Sequence, residues 1–170
     1  MLRGLGKHLV RLIFLFSVVF ILAVPYQILV LASPAGERFC ELQIGTGDGF
    51  VLRFIHSVER TPVESEYRVL SGRIWQFEER IVSHNAGLPT EALPNARFLM
   101  TREWMIIQGG RFAASEIRYR TGDEFLGRNE FFPPGGERVA LYEVHPRRVL
   151  VFSTDVTTTL ARFFSRPLFH

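Results

Sequence analysis

Phe50 to Pro62 reads F-V-L-R-F-I-H-S-V-E-R-T-P. Phe50, Leu52, Phe54 and His56 share one parity, which puts them on one face of a strand. Three large apolar side chains hand over to an imidazole at the strand's end. Ser57, Glu59, Arg60 and Thr61 follow, and Pro62 is expected to stop ladder pairing there. The stretch predicts a β domain with a polar loop cluster at one end of its sheet.

Working outward, Arg38–Ile44 reads as a strand with Cys40, Leu42 and Ile44 on one face. Gly45-Thr46-Gly47-Asp48-Gly49 is a turn, so this strand and Phe50–His56 are expected to form a hairpin. A phosphate cradle is a poor reading of the glycines, because no helix start and no lysine follow them. Val63–Leu70, a Ser71-Gly72 reversal and Arg73–Ser83 extend the meander, with Trp75, Phe77 and Ile81 assigned to one face. The breaker-rich stretch from His84 to Ala96 reads as a long loop. Trp104–Gln108, Phe112–Arg120, Arg138–Val144 and Arg148–Phe152 are further strands, and Thr121–Gly136 is irregular. This even spacing predicts an all-β, mostly antiparallel sandwich or barrel. Ser153, Thr154 or Asp155 is expected to cap a short C-terminal helix striped by Val156, Leu160, Phe163 and Phe164. Packing over an open end of the sheet is the expected role of that helix, with a membrane-surface position as the alternative.

Leu12–Ala32 carries no charge and follows Arg3, Lys7 and Arg11. A helix of about 21 residues crosses ~30 Å of hydrocarbon, so the sequence predicts one transmembrane helix. Positive flanks stay in the cytoplasm, which places the following domain outside. A cleaved signal peptide is the competing reading, with Val30-Leu31-Ala32 resembling a cleavage site. The expected division is residues 1–33 as the anchor and 34–170 as an extracytoplasmic, periplasmic β domain. Without residues 1–32 the chain has seventeen basic and seventeen acidic residues. That balance lacks the basic footprint of a nucleic-acid binder. The single cysteine, Cys40, forms no intramolecular disulfide and is expected to be a buried, inert thiol.

His56, Ser57, Glu59, Arg60, Thr61 and Glu64 lie within nine residues, and His84-Asn85 opens the next loop. If the strands on either side of Ser71-Gly72 pair, both loops leave the same end of the sheet. An arginine there favours a carboxylate partner through two parallel hydrogen bonds. His56, Glu59 and His84 are metal-ligand types, but their spacing matches no zinc signature. A small exported hydrolase, with Ser57, a carboxylate and either His56 or His84 as base, is an alternative, yet no nucleophile-elbow glycines surround Ser57. A purely structural adaptor, with His56 locking a turn, is the remaining alternative. No metal and no cofactor are expected.

H-S-V-E-R-T-P-V-E at His56–Glu64, followed by S-H-N-A-G-L-P at Ser83–Pro89, resembles the bacterial and archaeal family numbered 1850 among the domains of unknown function. The resemblance covers about residues 38–155 and includes the preceding apolar segment. Asn85 stands where that family is expected to carry glycine, and asparagine also tolerates positive φ. Members of the family tend to be encoded beside TAXI-type TRAP transporters, which take up organic acids with an extracytoplasmic binding protein. The resemblance implies a membrane-anchored accessory of such a transporter. Its expected partners are the permease or the solute-binding protein, reached through His56–Glu64 and Ser83–Pro89. It implies no established activity.

Overall fold

The computed structural model describes residues 2–82, 95–110 and 112–164. A helix, α1 (Leu2–Ala23), precedes β1 (Pro25–Ala32) and β2 (Arg38–Gln43). Next come β3 (Gly49–Ile55), β4 (Pro62–Leu70), β5 (Arg73–Ile81), β6 (Ala96–Met100), β7 (Met105–Gly109), β8 (Ala113–Ala114) and β9 (Glu116–Arg120). Then follow β10 (Gly127–Phe132), β11 (Val139–Ala140), α2 (Leu141–Val144), β12 (Val149–Thr158) and α3 (Thr159–Phe164).

The strands form two antiparallel sheets. Four strands run in the order β2-β1-β12-β9, and the larger sheet runs β11-β10-β3-β4-β5-β7-β6 with β8 paired to β5. Neither sheet closes on itself, so the architecture is a sandwich and not a barrel. Leu29, Leu31, Leu150 and Phe152 of the smaller sheet meet Phe50, Leu52, Val69, Ile74 and Phe131 of the larger one. Phe152 sits 5.6 Å from the Phe50 ring and 5.3 Å from Phe131, so three aromatic rings tie the layers together. Burying each ring contributes about 1.5–3 kcal/mol before the cost of ordering it.

The structure corrects the N-terminal expectation. The run from Leu12 to Ala32 is not one helix: α1 ends at Ala23, and Pro25–Ala32 is a strand between β2 and β12. Leu29 and Leu31 point into the sandwich, while Ile28, Val30 and Ala32 are buried on the other face. A strand covered on both sides is apolar at every position, so it loses the alternation that marks a strand in sequence. Pro25 starts the strand, since its ring lacks the N–H that a continuing helix would need. The charge-free part of α1 is about twelve residues, or ~18 Å. Among the described residues no helix is long and apolar enough to cross a membrane. From Val10 to Ile21 its apolar side chains are mostly exposed, Phe14 at 70% and Phe16 at 73%.

Other departures have local causes. The strands flanking Gly45–Gly49 form no hairpin: β2 pairs with β1, and the turn carries the chain into the other sheet. Asp48 accepts the Gly45 amide at 2.7 Å, and Gly47 N–H donates to the Val69 carbonyl at 2.7 Å, which fixes that corner. Pro62 does not end the ladder but opens β4 opposite Ile55, the first position where a strand tolerates proline. The β4–β5 register shifts between Glu66 and Tyr67. Parity therefore flips along β5: Ile74 and Ile81 are both buried, whereas Phe77 stacks under the Arg68 guanidinium. Arg138–Val144 is a two-residue strand and one helical turn. β12 continues to Thr158 because β1 pairs with it as far as Pro25, so the last helix starts at Thr159. The Thr158 hydroxyl accepts the Ala161 amide at 3.0 Å and acts as the cap. Ser83–Pro89 lies outside the described residues.

Candidate cleft at one end of the sandwich

β3 and β4 are joined by the loop His56–Thr61, and β5 leaves the sheet at the same end, because Val63 pairs with Ile81. The loop is closed by His56 on several sides. His56 N–H donates to the Thr61 carbonyl at 2.9 Å, and Arg60 N–H donates to the His56 carbonyl at 2.9 Å. The His56 Nδ1 accepts the Glu59 amide hydrogen at 3.2 Å. Arg60 takes φ 57°, a left-handed conformation that costs a non-glycine residue about 1 kcal/mol and completes the reversal.

A second loop, Thr121–Gly127, folds beside the first. Asp123 accepts the Phe125 and Leu126 amides at 2.9 Å each and pairs with Arg147 at 2.6 Å. The Leu126 amide, then the Arg147 side chain, hold the Asp123 carboxyl below its ordinary range. Gly122 is required: a Cβ there would lie 1.7 Å from the Leu126 carbonyl oxygen. Buried Asn129 accepts the Gly122 amide and donates to the Tyr119 hydroxyl at 2.8 Å, which in turn donates to the Arg53 carbonyl at 3.4 Å. Burial is the main reason the Tyr119 phenol is pushed up to about 12. Thr121, also buried, donates to the His145 carbonyl and accepts the Arg148 amide at 3.0 Å.

Between the two loops lies a cleft of about 720 Å³. Phe54, Ile55 and Leu126 supply apolar wall; His56, Ser57, Arg120 and Asn129 supply polar groups. The size and mixture suit a small-molecule site. Its rim carries exposed Val58 and Phe125, and Arg60 reaches across to the Phe125 carbonyl at 3.5 Å.

Of the residues singled out from sequence, His56 and Ser57 line the cleft, while Glu59, Arg60 and Thr61 belong to its loop without lining it. The Thr61 hydroxyl is buried without a partner among the described residues. Glu64 lies elsewhere. It points to the outer face of the larger sheet, where Arg80 approaches at 3.3 Å and Arg53 at 3.8 Å. Glu130, Arg53, Glu64 and Arg80 stand opposite one another across four strands, and the alternating signs stabilise that face. His84 and Asn85 lie outside the described residues. The Ser57 hydroxyl bonds to no histidine among the described residues, and none of them form a cluster of three or more metal-ligating side chains.

Arg120, Thr121, Asp123, Asn129 and Arg147 were not singled out by motif. The available signal was T-G-D-E-F-L-G at Thr121–Gly127, an aspartate three residues before the amide that it caps, framed by glycines.

No curated protein and no solved structure matches the chain. The family model described as "Domain of unknown function (DUF1850)" matches residues 50–136, just over half of the sequence. That span runs from β3 through β10 and contains both cleft loops, leaving out α1, β1 and β2 before it and everything from β11 on, Arg147 included. The chain belongs to the DUF1850 family.

Proposed function

We propose that the chain is a non-enzymatic accessory module of a TAXI-type TRAP organic-acid uptake system. α1 holds it at the outer face of the cytoplasmic membrane, and the cleft end contacts the permease or its binding protein. The observation that carries this reading is the polarity of the fold. α1 leads into Pro25, which pairs with Thr158 at one end of β12; Arg120 pairs with Val149 at the other. Ten residues of strand separate them by ~30 Å. α3 follows Thr158 and packs against α1. The apolar helix therefore sits at one end and the cleft at the other.

Leu12 to Phe16 are five consecutive exposed apolar residues, so this part of α1 has no polar face to keep in water. Such a shaft is stable when its apolar part is embedded in hydrocarbon without spanning it. With α1 inserted, Val58 and Phe125 at the cleft rim are held in the aqueous phase, where a protein partner supplies their cover.

The test is photo-crosslinking in native membranes from a probe at Phe125, followed by mass spectrometry and uptake assays in a deletion strain. Capture of a TAXI-type permease or binding protein, with uptake reduced on deletion, is expected. Unchanged uptake with no transporter component captured would contradict the reading.

A further inference from the structure

We propose that the cleft binds a small carboxylate with an aliphatic body, gripped by Arg120, His56 and Ser57. The inference rests on reading the cleft as a binding surface, and it names the chemistry of its ligand.

The argument is an accounting of side-chain hydrogen bonds. Most polar groups in the cleft wall are already used. Asn129 spends both ends of its amide on Gly122 and Tyr119, Thr121 is satisfied by His145 and Arg148, and Asp123 is occupied by two amides and Arg147. Three lining groups remain unspent. Arg120 has no ion pair and no side-chain hydrogen bond among the described residues, and neither has the Ser57 hydroxyl. His56 accepts the Glu59 amide through Nδ1, so its neutral ring carries the hydrogen on Nε2. What is left over is a cation, an N–H donor and a hydroxyl. The one carboxylate among the described lining residues, Asp123, is neutralised by Arg147.

A site with spare donors and no spare charged acceptor selects an oxyanion. A guanidinium meets a carboxylate through two parallel bonds, and a hydroxyl and an imidazole N–H serve the remaining lone pairs. The rest of the cleft then selects among oxyanions. Phe54, Ile55 and Leu126 offer nothing to a compact, fully hydrated anion such as phosphate, but they cover a short alkyl chain. An amine is rejected by Arg120, and an alcohol forgoes the charge-assisted pair.

The experiment titrates the full chain in nanodiscs with hexanoate, 1-hexanol, hexylamine and inorganic phosphate, using empty nanodiscs as the reference. Hexanoate is expected to saturate, and to bind at least ~10-fold more tightly than the other three. Arg120→Gln is expected to weaken hexanoate by ~10-fold or more, with Arg120→Lys intermediate and Ser57→Ala losing ~3-fold. Because Arg120 and Ser57 are exposed and their side chains have no partner among the described residues, these variants keep the wild-type melting temperature. No saturable hexanoate binding, phosphate binding as tight as hexanoate, or an Arg120→Gln variant equal to wild type would each overturn the proposal. Crosslinking from Phe125 reads the accessory role separately. Partner capture without hexanoate binding removes the ligand assignment alone, and hexanoate binding without capture removes the transporter role alone.

Discussion

At the end of the sandwich where α1 meets β1, exposed side chains are apolar, Ser17 excepted, over several turns of helix, from Leu12 to Ile21. At the opposite end, two loops bond most of their polar groups within themselves and to neighbouring segments, and they expose short apolar tips, with Phe125 78% accessible. The first end has large apolar area and almost no internal bonding. The second has a dense bonding network around a cleft. Hydrophobic area without hydrogen bonds needs hydrocarbon or another apolar face; a pre-bonded cleft needs only the ligand that completes it. The sandwich between them is the rigid spacer that keeps the two apart.

The largest expected effect separates β1 from α1, which the sequence presents as one apolar run. Leu29→Ala is predicted to lower unfolding stability by ~2–5 kcal/mol, since Leu29 is fully buried between the sheets. Phe14→Ala is predicted to stay within ~0.5 kcal/mol, because the Phe14 side chain is exposed. Chemical unfolding followed by circular dichroism reads both, and equal losses would break the distinction.

Next in size is the cleft network. Asn129→Ala leaves the Gly122 amide and the Tyr119 hydroxyl without their partner, which is predicted to cost ~1–3 kcal/mol by the same measurement. His56→Ala removes one bond from ring to backbone at a partly exposed loop, and is predicted to cost ~0.5–1.5 kcal/mol.

The smallest effect is a pH dependence confined to the cleft end. Because the folded Asp123 carboxyl titrates below its ordinary value of 3.8, its contribution is fully present above that value. It is lost as pH falls through the depressed one. Amide exchange across residues 122–127 is predicted to rise below about pH 4, and Asp123→Asn to flatten that response. Asp155, lowered chiefly by its bond to Arg38, loses its contribution with the same sign in the smaller sheet. Exchange resolved by residue therefore separates the two regions.

Much of the larger sheet was legible in sequence. β3 and β4 alternate, and Ser71-Gly72 takes the two positive φ angles of a tight reversal; Gly109-Gly110 also has positive φ, but the expected turn is absent, because β7 and β8 both pair antiparallel with β5 and so run the same way. β1 was hidden because burial on both faces erases alternation and imitates a membrane segment. Its misreading carried further errors: with β1 assigned to a helix, β2 had no partner except β3, and nothing showed that β12 would extend to Thr158. His56 and Ser57 were found because their polar loop is contiguous. Arg120 and Asn129 were not, because β9 and β10 lie in different sheets and only the packing of the sandwich brings their ends together.

The most direct test of the two-ended account is nitroxide accessibility in liposomes. A Cys40→Ser background would carry a single label at position 14 or at position 125. The account predicts that the label at 14 is relaxed by dissolved oxygen, as in lipid, and the label at 125 by a water-soluble nickel complex. Position 14 in water, or position 125 in lipid, would contradict it.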